Sequence, residues 1–177
     1  GRAATPDEQQ ILVRYAGWGG MAQEAFTYRY DPEWRGANAR VEELLSPEEL
    51  KSARASAPNA HYTSPEVIDG IWEALQRFGI GTHGRVKVLE PSMGAGHFFG
   101  LLPEDLRGRA SLTGVELDNL TARIARQLYQ GADIHQVGFQ EAPLPDNFYD
   151  VAVSNVPFGA YPVHDKNYGR TGRGQPH

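Results

Sequence analysis

From Pro65 onward the apolar positions Val67, Ile68, Ile71, Trp72, Leu75 and Phe78 recur about every 3.6 residues. This predicts one amphipathic helix, introduced by Tyr62-Thr63-Ser64-Pro65 and ended by Gly79 and Gly81. Beyond it the pattern changes. Val86 to Leu89, Ser111 to Val115, Ile134 to Val137 and Tyr149 to Ser154 are apolar runs of strand length. Helix-like stretches from Gly96 to Leu102 and from Leu120 to Tyr129 separate the first of them. Strands alternating with helices predict an α/β fold with a doubly wound parallel sheet, whose ligands bind at the carboxyl ends of the strands.

Residues 1–58 have no such alternation and read as a helical and irregular N-terminal extension, with a core over residues 59–177. Two helix starts stand out there. Thr5-Pro6-Asp7-Glu8 and Ser46-Pro47-Glu48-Glu49 each place a hydroxyl at the N-cap, Pro at the first helical position and Glu at the third. After the first, Ile11, Leu12 and Tyr15 continue at helical spacing to Trp18-Gly19-Gly20, where the glycines are expected to stop the helix and Trp18 to pack back on it. The aromatics Trp18, Phe26, Tyr28, Tyr30 and Trp34 fit a small packed core better than a base-stacking platform.

Composition narrows the chemistry. The 177 residues include no cysteine, which removes disulfides and thiolate chemistry and fits a cytoplasmic setting. The six histidines lack the spacing that puts two ligands on one helical face, so no metal is expected. A net charge of −5 argues against bulk electrostatic binding of nucleic acid, so any such grip must be local or lie elsewhere. The glycine-rich tail with Lys166, Arg170 and Arg173 reads as a loop. No apolar run reaches the ~20 residues of a membrane span.

The residues at the predicted strand ends carry the chemistry. Glu90-Pro91-Ser92-Met93-Gly94-Ala95-Gly96 follows the first strand, with two glycines for a tight turn into a helix and close approach of a ligand. A dinucleotide fingerprint needs a third glycine at position 99, where Phe stands, so pyrophosphate is disfavoured. Glu90 would repel a phosphate and suits a ligand carrying an ammonium or sulfonium. Glu116, after the second strand, is placed to accept hydrogen bonds from ribose hydroxyls, with Leu117 over a face of the adenine. Asp118 reads better as the N-cap of the next helix. After the third strand, Phe139 could flank the adenine and Gln140 contact its edge. After the fourth, Asn155-Val156-Pro157-Phe158 offers an amide oxygen, a main-chain carbonyl and an aromatic ring, which together suit a planar amino group. A plain Asn-x-Pro turn is the competing reading.

In this order the residues resemble S-adenosylmethionine-dependent N6-adenine DNA methyltransferases of the gamma arrangement, over roughly Asn59 to Phe158. His61-Tyr62-Thr63-Ser64-Pro65 is similar to the family's upstream motif, and Glu90 to Phe98 to its glycine motif. Asn155-Val156-Pro157-Phe158 resembles its catalytic Asn-Pro-Pro-Tyr/Phe. Tyr15-Ala16-Gly17-Trp18-Gly19-Gly20 and Asn155-Val156-Pro157-Phe158-Gly159 also resemble methylase domains of very large methyltransferase-helicase proteins of phages and mobile elements, a restriction-modification context. The resemblance implies a Rossmann-like class I methyltransferase fold and S-adenosylmethionine as cofactor. It implies contacts from Tyr62 and Thr63 to the methionine end, from Glu90, Pro91, Ser92, Gly94, Gly96 and Phe98 in the glycine motif, and from Glu116, Leu117, Phe139 and Gln140 around the adenosine. It implies a flipped DNA adenine stacked on Phe158, with Asn155, Val156 and Pro157 at its amino group. Val156 replaces the family's first Pro and keeps the carbonyl with less rigidity. Gln140 must serve where an Asp is usual. The family adds further strands and a target-recognition region, so a fragment truncated after the fourth strand is expected, completed by further domains or a partner chain. The alternatives are a catalytically silent binding module, or methylation of protein glutamine or RNA.

Overall fold

The computed structural model describes residues 2–15, 17–18, 35–56 and 63–156. In chain order these form α1 (Pro6–Leu12), α2 (Arg35–Leu44), α3 (Pro47–Ser56), α4 (Pro65–Arg77), β1 (Val86–Glu90), α5 (His97–Gly100), α6 (Glu104–Arg107), β2 (Ala110–Val115), α7 (Asn119–Leu128), β3 (Asp133–His135), a 3-10 turn (Phe139–Glu141) and β4 (Val151–Ala152). The strands form one parallel sheet in the order β3-β2-β1-β4. This is the parallel α/β sheet expected from the alternation. The order reverses between β1 and β4, so the carboxyl ends of these two strands flank the crevice where such sheets bind ligands, with β2 next to β1.

α4 illustrates how the core is chosen. Ile68 and Trp72 are fully buried, Ile71 and Leu75 pack beside them, and the Trp72 indole donates to the Phe98 carbonyl at 3.1 Å. Val67 and Phe78, expected on the same face, are 52% and 85% exposed. At 3.6 residues per turn these two lie on one flank, about 80–100° from Ile68, so the buried stripe is narrower than the apolar pattern. Gly79 (φ 96°) ends the helix as anticipated: Ile80 N–H bonds the Leu75 carbonyl at 3.0 Å and Gly79 N–H the Gln76 carbonyl at 2.9 Å.

Both capping boxes form, with Thr5 paired to Glu8 and Ser46 to Glu49. Two helices are shorter than the pattern implied. α1 ends at Leu12, and the chain tightens into single turns from Arg14 to Ile11 and from Tyr15 to Leu12; Ile11 is exposed. Trp18 does pack back, edge-on to Tyr15 at 6.4 Å. α5 cannot begin at Gly96, whose φ of 82° is left-handed, and it stops two residues before Leu102-Pro103. β4 is a short ladder, but Asp150 N–H bonds Lys87 and Val153 N–H bonds Leu89, which carries the pairing to the end of β1. Phe26, Tyr28, Tyr30 and Trp34, and the glycine-rich tail, lie outside the described residues.

α7 joins the N-terminal elements to the sheet. Gln9 donates to the Gln127 and Leu128 carbonyls at its C-terminal end, while α3 meets its N-terminal end through Glu49 and Arg123 and through Ser52 and Asp118. Among the described residues no helix is long and apolar enough to cross a membrane.

The glycine at 96 is demanded by this packing. A Cβ there would lie 2.5 Å from the Tyr129 ring, and the left-handed backbone adds its own strain. Gly96→Ala is expected to destabilise the chain by about 2–4 kcal/mol in denaturant unfolding; a loss below ~0.5 kcal/mol would show that Tyr129 is not held against this turn.

Candidate cofactor and catalytic site

The site begins where β1 runs out. Glu90 is the last strand residue and is 2% exposed, and its Oε2 has no hydrogen-bond partner among the described residues. A buried carboxylate without a donor is costly, by several kcal/mol when ionised. Burial, and then the neighbouring Glu116 carboxylate, push the Glu90 carboxyl well above its usual range. The position therefore favours either a proton or a cationic ligand.

Beyond Glu90 the chain turns through Pro91 and Ser92 into Met93, whose N–H bonds the Val115 carbonyl at 2.9 Å. Gly94 (φ 54°) and Gly96 (φ 82°) make the tight turn that the sequence predicts. The space left by the missing Cβ of Gly96 is filled by the Tyr129 ring, so close approach at that glycine is by this chain's own side chain rather than by a ligand. Tyr129 also meets Phe99 edge-on at 5.6 Å. Burial, followed by the Glu90 charge, raises its hydroxyl to about 12, so it stays protonated.

At the end of β2, Glu116 turns back toward this loop. Its Oε2 accepts from Gly94 N–H at 2.8 Å and its Oε1 from Asp118 N–H at 2.7 Å. Burial raises its pKa, while the Asp118 and Gly94 N–H groups pull the other way. Asp118 caps α7, accepting from Thr121 N–H at 2.8 Å, so the two carboxylates take the separate roles that the sequence suggests. At the end of β4, Ser154 Oγ donates to the Ser92 carbonyl at 3.3 Å, which ties the residue before Asn155 to the glycine loop. Asn155 and Val156 are exposed beyond it.

The residues expected at the site thus divide. Glu90, Pro91, Ser92, Gly94 and Glu116 gather at the crevice, with Asn155 and Val156 beginning at its edge. Leu117 (73% exposed) and Phe139 follow the ends of β2 and β3 with their apolar side chains uncovered. Gln140 is exposed and its amide folds over Gly138, within 2.5 Å of where a Cβ would stand. Phe98 is only 3% exposed and joins the core cluster with Trp72, so its ring supports the loop from behind. Thr63 is half-buried just before α4. Tyr62, Pro157 and Phe158 lie outside the described residues. Ser52, Tyr15 and Tyr129 touch the site's framework without having been singled out for it. Tyr129 at the end of the α7 pattern facing two glycines of α5 is a signal available in hindsight; Ser52 has none.

A methyltransferase-domain family matches residues 89–166, a segment that runs from the end of β1 through the glycine loop, Glu116 and Asn155. The chain is 24% identical over 161 residues to the defense against restriction protein B of Escherichia phage P1; the match takes in 90% of this chain and 5% of that protein. Among solved structures, a putative class I S-adenosylmethionine-dependent methyltransferase from Listeria monocytogenes is similar at 18% identity and a TM-score of 0.45, covering 88% of this chain and 58% of that one. The type I restriction-modification methyltransferase subunit from Streptococcus thermophilus is similar at 14% identity and a TM-score of 0.44, covering 71% and 32%. The plantazolicin methyltransferase BpumL, solved with S-adenosylhomocysteine, is similar at 17% identity and a TM-score of 0.41, covering 84% and 49%. The cofactor that goes with a methyltransferase domain, S-adenosylmethionine, fits the donor set: Glu90 has an unused buried acceptor for a cationic group, and Glu116 lies at the end of the adjacent strand.

The raised Glu90 carboxyl gives a pH signature. Its folded-state pKa exceeds the ordinary 4.5, so its contribution to stability is full below that value and is lost as pH rises toward the raised one. Glu90→Gln removes the loss. The variant is expected to match the wild type near pH 4 and to exceed it at pH 8 by more than about 1 kcal/mol in urea unfolding. An equal difference at both pH values would contradict the buried-charge assignment.

Proposed function

We propose that this chain is the cofactor-binding and catalytic-loop part of a methyltransferase acting on the exocyclic amino group of adenine in DNA. The observation that carries the reading is the link between Ser154 and Ser92, which sets the Asn155 end of β4 beside the glycine loop after β1. An amino-group acceptor and a cofactor loop must adjoin for direct transfer, and here the Ser154 hydroxyl bonds the backbone of the loop. The likeness to a phage protein named for defense against restriction favours DNA as the substrate.

When bound, S-adenosylmethionine supplies a methyl group on a positively charged sulfur. Glu90 would accept from its ammonium and Glu116 from its ribose hydroxyls, while Leu117 and Phe139 would offer their uncovered apolar surface to the adenine. A target base reaches such a site by leaving the duplex, at a cost of a few kcal/mol that stacking on Phe158 offsets. The Asn155 amide oxygen and the Val156 main-chain carbonyl accept the two amino hydrogens, drawing the nitrogen lone pair out of conjugation with the ring. Held so, the nitrogen would be aimed at the cofactor's methyl group, and the amino proton it gives up would pass to solvent. Positioning and hydrogen bonding supply the rate enhancement, and no general base of tuned pKa takes part.

In the full-length protein, Asn155→Ala is expected to lower transfer of labelled methyl groups to adenine N6 in DNA by about 100-fold or more, with S-adenosylmethionine affinity changed less than about threefold. Undiminished transfer by the variant would refute the role of Asn155, and wild-type binding without transfer to any amino substrate would favour a silent binding module.

A further inference from the structure

A chain of hydrogen bonds runs from the N-terminal helices into the site. Ser52 on α3 donates to Asp118 Oδ2 at 2.7 Å, and its Oγ accepts from Asn119 N–H at 3.3 Å. The other Asp118 oxygen caps Thr121 N–H at 2.8 Å, and Asp118 N–H bonds Glu116 Oε1 at 2.7 Å. Glu116 Oε2 then holds Gly94 N–H at 2.8 Å. Tyr15 joins from the turn after α1, its hydroxyl 3.1 Å from Thr121 Oγ1.

Asp118 is 2% exposed and its side chain is shared between α7's own backbone and a residue more than sixty positions upstream. A helix cap needs only the Thr121 N–H; the Ser52 bond adds nothing to capping. What it does fix is the position of the turn Glu116-Leu117-Asp118, because both ends of that turn are then anchored: Asp118 on α3, Glu116 on the glycine loop. Burial, then the Asp118 and Glu116 charges, hold the Tyr15 hydroxyl up at about 12, so it stays protonated beside them.

We propose that Ser52 and Tyr15 are positioning residues for the adenosine half of the cofactor site: the N-terminal layer sets the angle at which Glu116 meets the ribose hydroxyls, acting through Asp118 and Thr121. The proposal rests on the cofactor reading above and extends it to residues that touch no ligand. It makes the N-terminal helices a functional part of the site, since without them the turn after β2 is held only by β3, the glycine loop and its own helix cap.

The test is calorimetric titration of the chain with S-adenosylhomocysteine and with its 2′,3′-dideoxy analogue, which lacks the hydroxyls that Glu116 accepts. The wild type is expected to prefer the natural ligand. Ser52→Ala is expected to weaken S-adenosylhomocysteine binding about tenfold and the dideoxy analogue less than about twofold. Tyr15→Phe is expected to shift the preference in the same direction by a smaller factor, and Ser52→Thr to restore it. Arg123→Gln removes the Glu49 ion pair at the same helix interface without touching Asp118; it is expected to leave both affinities unchanged. Equal losses for the two ligands in Ser52→Ala, or a loss in Arg123→Gln as large as in Ser52→Ala, would reduce Ser52 to a docking contact and overturn the proposal. A wild-type chain that binds neither ligand would overturn the cofactor reading itself, whereas wild-type binding unaffected by Ser52→Ala overturns only the positioning role.

Discussion

A buried carboxylate, Glu90, beside a half-buried one, Glu116, on the neighbouring strand end is the constraint around which the rest is arranged. Glu90 and Glu116 sit where β1 and β2 stop, and the two strands are paired in register from Val86 with Ala110 to Glu90 with Gly114. Burial raises the pKa of both carboxyls; the Glu116 charge raises Glu90 further, and the Asp118 charge adds to Glu116. Glu116 is relieved by backbone N–H groups of the glycine loop and of its own turn. Glu90 receives no such relief among the described residues. A core of this size could bury an apolar residue at position 90 at no such cost. On the proposed function, the carboxylate is there for a ligand that brings a positive charge.

The glycine loop serves this arrangement in two ways. Its amides supply the donor that Glu116 needs, and its left-handed residues let α5 start close enough to α7 for Tyr129 to lie against Gly96 and Gly100. Helix, loop and strand ends are therefore mutually dependent. The N-terminal helices complete this dependence from the outside by holding both ends of α7, through Gln9 at one end and Ser52 at the other. The chain spans about 5% of the curated relative it matches, so the activity of the whole protein stands as a proposal built on this local geometry.

Much of this was legible in the sequence because it depends on local rules. The capping boxes at Thr5 and Ser46, the stop at Gly79, the cap at Asp118 and the alternation of strands with helices all follow from near neighbours, and each appears where expected. The crevice residues Glu90 and Glu116 were found because they end apolar runs. The failures concern what lies across space. Phe98 falls within a glycine motif yet turns its ring into the core, and Gly96 is small to admit Tyr129, more than thirty residues away. The bond between Ser52 and Asp118 carries no periodic or compositional signal, since a serine on an exposed helical face looks the same whether or not a partner meets it. α1 proved shorter than its apolar spacing because helical period alone does not register the tightening into single turns after Leu12.

If the cationic end of the cofactor sits beside Glu90, as proposed, binding must release protons. A positive group beside Glu90 favours its ionised form, so S-adenosylmethionine binding must lower a pKa that burial has raised. Calorimetric titration at one pH near 6–7 in buffers of different ionisation enthalpy reads the number of protons exchanged. Proton release is expected in the wild type and none in Glu90→Gln; binding without release, or release that persists in the variant, would rule out a cation beside Glu90.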